Sequence, residues 1–177
     1  PSNPSDIISF SIDKPNKINR LTDVNKDIFY NVEFGEVEEI TYKSVDEKYV
    51  QGWIVKPPNF DSNKKYPLVL RIHGGPHSMY HVGFNYNFQL HAAQDQVVLY
   101  TNPRGSTGYG YDFANAIQNA YPGNDYDDIM YGVDEVISRG YIDENRMYVY
   151  GGSGGGVLTS WIVGKTDRFA AASVNYP

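Results

Sequence analysis

The sequence predicts an α/β fold built around a parallel β-sheet. From Leu68 onward, short apolar runs alternate with segments of helical periodicity, in the order strand, helix, strand, helix, strand, helix, strand. Turn-forming residues bound the apolar runs, as expected for strands that are buried on both faces. In addition, one serine, Ser153, lies among five glycines where the third of these strands meets a helix.

The segment before Leu68 predicts a β-rich start. Asp6–Ile12 alternates between apolar and polar residues and is predicted to be a strand. The polar residues 13–27 are rich in turn formers and are interpreted as a connector. Glu38–Lys43 and Tyr49–Lys56 are predicted to be antiparallel strands joined by a polar turn.

The α/β part begins with the apolar run that stops at His73. Four strands are predicted, at Leu68–Ile72, Val97–Tyr100, Met147–Tyr150 and Ala170–Asn175. Four helices are predicted between them, at Asn85–Gln94, Tyr111–Asn119, Asp125–Ser138 and Gly155–Gly164. The third helix has the clearest apolar face and three aspartates in or near its first turn.

Composition narrows the class of protein. The 177 residues are enough for one domain with a core, and the net charge of −6 argues against a partner that is a nucleic acid or an anionic membrane. No apolar run approaches the roughly 20 residues of a membrane span. The chain has no cysteine, which excludes disulfides and thiolate chemistry but does not define a compartment.

The glycine cluster contains the pattern G-x-S-x-G, from Gly151 to Gly155. Between a strand and a helix, this pattern is typical of a nucleophile elbow, in which the turn is too tight for side chains two positions before and after the serine. A phosphate-binding P-loop is rejected because Thr159 stands where the glycine before Gly164-Lys165-Thr166 is required. A complete G-x-G-x-x-G is also absent here, which argues against a dinucleotide site.

Other candidate residues have simpler alternatives. His73, His77 and His81 have helical spacing, but the intervening Gly-Gly-Pro argues against a helix and therefore against a metal site. Asp125, Asp127 and Asp128 are interpreted as helix-start carboxylates. Arg104 follows a strand where α/β sites are built, and it is either a substrate-pocket residue or the anchor of a loop through an ion pair.

Four segments together resemble the catalytic domain of the prolyl oligopeptidase family of serine peptidases. They are LRIHGGP, VVLYTNPRGSTGYG, DDIMYGVDEVISRGYID and YGGSGGGVLTSWIVGKTDRFAAA, and the resemblance covers about residues 36–177. It is strongest to the acylaminoacyl-peptidase and dipeptidyl-peptidase-like branch. The resemblance implies an α/β-hydrolase fold for residues 26–177, and the end of a β-propeller blade with its linker for residues 1–25.

The resemblance also implies roles for individual residues. Ser153 would be the nucleophile, and the amides of Gly154 and Gly75 would form the oxyanion hole. His73 and Arg104 are substrate-pocket candidates. No metal and no cofactor are expected. Gly154 departs from the family pattern, which often has an aromatic residue there; the departure removes a pocket wall and keeps the amide.

The order of the catalytic triad in this fold is serine, then acid, then histidine. The 24 residues after Ser153 contain Asp167, which lies too early for the triad acid, and no histidine. We therefore expect the triad Asp and His beyond residue 177, in a longer protein of which this chain is a fragment.

The expected function is hydrolysis of short peptides through an acyl-enzyme. Two alternatives stay open: an esterase or lipase, and a non-catalytic binding protein of the same fold. The sequence leaves the cleavage preference and the compartment undefined, and a homo-oligomer is compatible with it.

Overall fold

The computed structural model describes residues 3–177, in which a six-stranded mixed sheet carries helices on both faces and is preceded by a separate hairpin. The strands are β1 (Ile8–Ser11), β2 (Lys14–Arg20), β3 (Val37–Lys43), β4 (Tyr49–Val55), β5 (Tyr66–Ile72), β6 (Val97–Asn102), β7 (Ile142–Gly152) and β8 (Ala171–Asn175). The helices are α1 (Lys26–Phe29), α2 (Tyr86–Ala92), α3 (Tyr111–Asn115), α4 (Asn124–Ser138) and α5 (Gly154–Lys165), with a 3-10 turn at Val45–Glu47.

The first hairpin differs from its prediction. Strand β2 pairs antiparallel with β1, so the interpretation of residues 13–27 as a connector was wrong for Lys14–Arg20. Every residue of β2 is exposed, and backbone pairing with β1 forms the strand without a buried face that an apolar pattern could reveal. The assignment of residues 1–25 to the end of a propeller stays a prediction, and residues 1–2 lie outside the described range.

The main sheet has the strand order β3-β4-β6-β5-β7-β8. β4 pairs antiparallel with both β3 and β6, whereas β6, β5, β7 and β8 are parallel to one another. The predicted alternation of parallel strands and helices is therefore confirmed. β5 is central, and its buried residues alternate between the faces, as the period of two requires.

Two clusters of apolar side chains hold the layers together. On one face, Leu68, Leu70 and Ile72 of β5 join a cluster that includes residues of α4 and α5. On the other face, Val69 joins a cluster that includes Phe88 of α2. Helices on both faces bury the central parallel strands, which explains their near-continuous apolar sequences.

Three glycine-rich turns lie together at the carboxyl ends of the parallel strands. Because β5, β6 and β7 are parallel, their carboxyl ends lie at the same edge. The turns that follow them are HGGP, NPRGSTGYG and GGSGGG. In parallel α/β sheets, this edge is where binding and catalytic sites form.

Candidate active site

Ser153 occupies the turn between β7 and α5. The strand ends at Gly152 and the helix begins at Gly154, leaving one residue for the change of direction. Ser153 has φ 56° and ψ −124°, a conformation that side-chain-bearing residues rarely adopt. Such a backbone costs about 1–3 kcal/mol and persists only when the surrounding structure holds it in place.

The glycines of the motif are required by close contacts. A Cβ on Gly151 would overlap the carbonyl oxygen of Gly155. A Cβ on Gly155 would overlap the carbonyl oxygen of Ile72 and lie 2.7 Å from that of His73. The start of α5 therefore packs directly on the ends of β7 and β5. A side chain at Gly151 would push α5 away from β7, and one at Gly155 would push it away from β5.

The Ser153 side chain is exposed, and its backbone is anchored. Its amide donates to the carbonyl oxygen of Asn175 at 3.1 Å, and its own carbonyl oxygen accepts from the amide of Val157 at 3.0 Å. Within residues 3–177, the Ser153 hydroxyl has no hydrogen-bond partner. The elbow thus presents an unengaged hydroxyl to solvent on a fixed backbone.

The HGGP turn packs against this elbow. A Cβ on Gly74 would lie 2.9 Å from the carbonyl oxygen of Gly152 and 3.3 Å from the Ser153 Cβ. A Cβ on Gly154 would lie 3.0 Å from the carbonyl carbon of Gly75. Among the described residues, the amides of Gly75 and Gly154 donate to no protein acceptor. Two free N–H groups therefore belong to segments that contact each other beside Ser153.

The His73 ring is bonded to neighbouring loops. Its Nδ1 lies 2.7 Å from the Gly74 carbonyl oxygen, and its Nε2 lies 2.9 Å from the Ser106 hydroxyl. The ring also contacts Tyr80 edge to face, with centroids 5.3 Å apart. Burial lowers the pKa of His73, and the bond to Gly74 opposes that shift. Both ring nitrogens are engaged, which favours a structural role over direct contact with substrate.

Arg104 is buried in an ion pair. Its Nε and Nη2 atoms each lie 2.9 Å from an oxygen of Asp128, and its Nη1 lies 3.1 Å from Asp46. Hydrogen bonding to Asp128 raises the pKa of the guanidinium. The structure thus favours the loop-anchoring interpretation of Arg104 over the substrate-pocket interpretation.

Sequence reasoning missed Tyr121. Its hydroxyl donates to the carbonyl oxygen of Gly154 at 2.6 Å and so braces the first turn of α5. Burial raises the pKa of Tyr121 to about 12, so the hydroxyl stays a donor even at pH values near the ordinary tyrosine pKa of 10.0. Tyr121 lies 32 positions before Ser153 in a segment with no recognisable motif, and no local pattern links the two.

None of the four histidines is within hydrogen-bonding distance of the Ser153 hydroxyl in the described part of the chain. His77 contacts the Gly105 carbonyl, His81 accepts from the Gly83 amide, and His91 contacts Gln96 and Tyr150.

Among residues 3–177, no cluster of three or more His, Asp or Glu side chains is arranged to hold a metal. No helix in the same range is long and apolar enough to cross a membrane.

Comparison with known proteins identifies the family. The model of the prolyl oligopeptidase family matches residues 82–177, which is more than half of the chain. The chain belongs to the prolyl oligopeptidase family. It is also 44% identical over 173 residues to the peptidase YuxL of Bacillus subtilis, a match that covers 97% of this chain and 26% of YuxL. Dipeptidyl-peptidase 5 of Aspergillus fumigatus is 37% identical over 139 residues, which are 73% of this chain and 19% of that protein.

Solved structures of the prolyl oligopeptidase family share the fold. The acylaminoacyl peptidase of Pyrococcus horikoshii superposes with a TM-score of 0.86 at 31% identity, over 97% of this chain and 27% of that one. An acylaminoacyl peptidase in complex with Z-Gly-Gly-Phe-chloromethyl ketone gives a TM-score of 0.82 at 34% identity, over 88% and 25% of the two chains. These likenesses confirm the predicted α/β-hydrolase fold. The chain spans about a quarter of the length of the first relatives that it matches.

Proposed function

We propose that Ser153 is the nucleophile of a serine peptidase that hydrolyses short peptides through an acyl-enzyme. The amides of Gly154 and Gly75 form its oxyanion hole. Family membership supports peptide hydrolysis as the reaction class. The assignment of roles to individual residues is our inference from their geometry.

One observation carries the proposal. An exposed hydroxyl, without a hydrogen-bond partner among residues 3–177, stands on a strained strand–helix turn. Two backbone amides that are also free within this range belong to the segments packed around it. An ordinary connection between a strand and a helix needs neither the strain nor the free donors. Because positive φ at a non-glycine residue costs free energy, its presence at the one serine of the glycine cluster favours a functional role.

The chemistry follows from these positions. A general base takes the proton of the Ser153 hydroxyl as its oxygen attacks the carbonyl carbon of the scissile bond. The carbonyl oxygen becomes negatively charged, and the two amides stabilise it. The tetrahedral intermediate then expels the amine, which receives the proton from the base. Water hydrolyses the resulting ester and regenerates the serine.

We propose that the base, a histidine oriented by a carboxylate, lies outside these 177 residues. Two observations support this location: YuxL is about four times as long as the segment that matches this chain, and each histidine among residues 3–177 has other partners. We propose short peptides as substrates because the relatives include dipeptidyl and acylaminoacyl peptidases, one of them with a peptidyl chloromethyl ketone bound.

The experiment is active-site labelling of the full-length protein that carries this sequence. A fluorophosphonate probe should form a covalent adduct at Ser153, and Ser153→Ala should abolish both labelling and hydrolysis of dipeptidyl or acetyl-aminoacyl p-nitroanilides. Ser160→Ala is the matched control, since Ser160 is an exposed serine of the helix that follows Ser153. This variant should be labelled at Ser153 to the same extent as the unmodified protein.

Mapping of the adduct to a different serine, or full hydrolysis by Ser153→Ala, would contradict the proposal. Labelling at Ser153 with hydrolysis of p-nitrophenyl esters and of no peptide substrate would assign the esterase alternative instead. Absence of labelling in a folded protein would favour the non-catalytic alternative.

A further inference from the structure

We propose that Arg71 pairs with a carboxylate that is supplied by the part of the full-length protein following residue 177. Arg71 is half-buried on the central strand β5, two residues before His73. The inference goes beyond the proposed function, because it concerns how the remainder of the protein docks on this sheet. The two share the premise that the protein continues after residue 177, but the inference does not depend on the role of Ser153.

Arg71 is the one arginine without a carboxylate partner among residues 3–177. The other five each form an ion pair: Arg20, Arg104, Arg139, Arg146 and Arg168. Within the same range, no N–H group of the Arg71 guanidinium is bonded to a carboxylate or to a carbonyl oxygen. A guanidinium has five N–H donors and a permanent charge, and removing it from water without an acceptor costs free energy.

Arg71 lies between two tyrosines of the neighbouring strands. Its Cα is in register with Tyr100 of β6 on one side and with Tyr150 of β7 on the other. The central carbon of the guanidinium lies 4.4 Å from the centroid of the Tyr150 ring. A cation over an aromatic face is attracted to the ring, but this contact uses none of the N–H donors. The N–H groups of Arg71 therefore stay available to an acceptor with two oxygens, such as a carboxylate.

A second donor beside Arg71 also has no acceptor. The Tyr80 hydroxyl is buried, and it has no hydrogen-bond partner among the described residues. Burial raises the pKa of Tyr80, and the positive charge of Arg71 beside it opposes the rise. Even where the hydroxyl oxygen accepts from Arg71, the hydroxyl hydrogen needs an acceptor of its own. Two adjacent donors define a site for a group that only accepts, and a carboxylate also matches the charge.

The other titratable groups around Arg71 supply no negative charge. Burial raises the pKa of both Tyr100 and Tyr150, so these side chains are neutral at pH 7. From α2, His91 places its Nε2 atom 3.3 Å from the Tyr150 hydroxyl, and an imidazole is either neutral or positive. The counter-charge of Arg71 must therefore come from outside the described part of the chain.

The layout of the sheet indicates where the carboxylate comes from. Helix α2 packs on β4 and β6, and beside it a groove of about 380 Å³ runs over β5, β7 and β8. Its lining includes Val69, Tyr148, Ala171 and Ser173, and the two residues of β8 are exposed. Parallel strands are normally buried on both faces, and the chain after β8 starts at this edge of the sheet. YuxL, of which the match covers 26%, is long enough to supply such a segment.

The test is zero-length cross-linking of the full-length protein. Arg71→Lys keeps a positive charge and introduces an amine, which a carbodiimide joins to a carboxylate in contact with it. Arg168→Lys is the matched control, because Arg168 pairs with Asp134. Peptide mass spectrometry should locate the control cross-link at Asp134. In Arg71→Lys, it should show a cross-link from the introduced lysine to an Asp or Glu after residue 177.

Removing the charge of Arg71 should destabilise the protein. Arg71→Met keeps the length of the side chain and leaves the carboxylate without its counter-charge, which should lower Tm at pH 7 by at least about 5 °C. Arg168→Met, which removes a surface pair, should lower Tm by less than about 3 °C. The paired carboxylate has a lowered pKa, so its contribution is lost as the pH falls through that value. The effect of Arg71→Met should therefore shrink below about pH 4.

An Arg71→Met protein that is as stable as the unmodified protein at pH 7 would overturn the inference. A cross-link to an acidic residue among residues 3–177 would do the same, as would no cross-link when Arg168→Lys gives one. If Arg71→Met does not fold, the cross-linking result decides alone. A KM that rises only for substrates with a free carboxyl end, without a cross-link, would assign the carboxylate to substrate instead. Failure of the proposed function is a separate result, namely a fluorophosphonate adduct at a serine other than Ser153.

Discussion

Arg104 and Asp128 form a two-pronged buried ion pair that ties the turn after β6 to helix α4. Two guanidinium nitrogens lie 2.9 Å from the two carboxylate oxygens, and the Arg104 amide donates to the same carboxylate at 2.8 Å. Asp128 also accepts from the Ser44 hydroxyl, and its backbone oxygen accepts from Tyr42. One carboxylate therefore joins α4, the end of β3 and a turn at the candidate active site.

Removing that carboxylate should destabilise the protein severely. In Asp128→Ala, the Arg104 guanidinium would stay buried without its main counter-charge, and breaking such a pair costs about 3–5 kcal/mol. Asp134→Ala is the matched control, since Asp134 lies on the same helix and pairs with Arg168 at the surface. There we expect a loss of less than about 1 kcal/mol. Urea denaturation followed by tryptophan fluorescence measures the unfolding free energy of both variants. Equal losses would contradict a stabilising role for the buried Arg104–Asp128 pair.

Substitution by alanine should change stability in opposite directions at two glycines of α5. In Gly155→Ala, the new methyl group would collide with the backbone at the end of β5, and overpacking of this kind costs about 1–3 kcal/mol. Since the collision separates the elbow from β5, labelling of Ser153 by a fluorophosphonate should also be lost.

Gly164→Ala is the control in the same helix, because a Cβ there would meet open space. The substitution should be neutral or stabilise the protein by about 0.5–1 kcal/mol, as alanine replaces glycine in a helix. A tolerated Gly155→Ala with normal labelling would show that the close packing of elbow and β5 is not needed.

Asp125 should make stability depend on pH. One of its oxygens accepts from the Gly123 amide at 2.5 Å, whereas the other is buried with no partner among residues 3–177, and burial raises the pKa of the carboxyl. The folded state therefore binds the proton more tightly than the unfolded state does. Above the ordinary carboxyl pKa of 3.8, the contribution of Asp125 to stability falls as the pH rises through the raised pKa.

Asp125→Asn keeps an acceptor for Gly123 and has no charge to bury. At pH 7, the free energy of unfolding of this variant should exceed that of the unmodified protein. The difference should be about 1.4 kcal/mol for each unit by which the Asp125 pKa is raised. The difference should vanish below the ordinary carboxyl pKa, where both side chains are neutral. Thermal unfolding from pH 3 to pH 8 checks the trend, and a variant that is less stable at pH 7 would refute it.

The parts of the fold that could be predicted from the sequence are those with a local sequence pattern. Buried parallel strands such as Leu68–Ile72 are continuous apolar runs, and the strand–helix turn at Ser153 needs glycines at fixed offsets. Strand β2 was missed because its polar residues are all exposed. The start of β7 at Ile142 was missed for a similar reason, since residues 144–146 are exposed and charged or polar.

Only those residues of the candidate site that belong to a short sequence motif could be predicted. Ser153, Gly75 and Gly154 belong to short patterns with a steric cause, and the structure brings their segments together. The bonds from Ser106 to His73 and from Tyr121 to Gly154 each join positions 33 residues apart. Such contacts have no periodicity along the chain, and only the folded topology reveals them.

The anchor of the Ser153 amide on Asn175 sets an order of events during synthesis. Asn175 ends β8, the last strand described, and it is translated after the whole elbow. Until β8 docks beside β7, the strained turn lacks one of the bonds that hold its backbone. The turn at Ser153 therefore gains this hydrogen bond only when β8 pairs with β7, after the elbow itself has been synthesised.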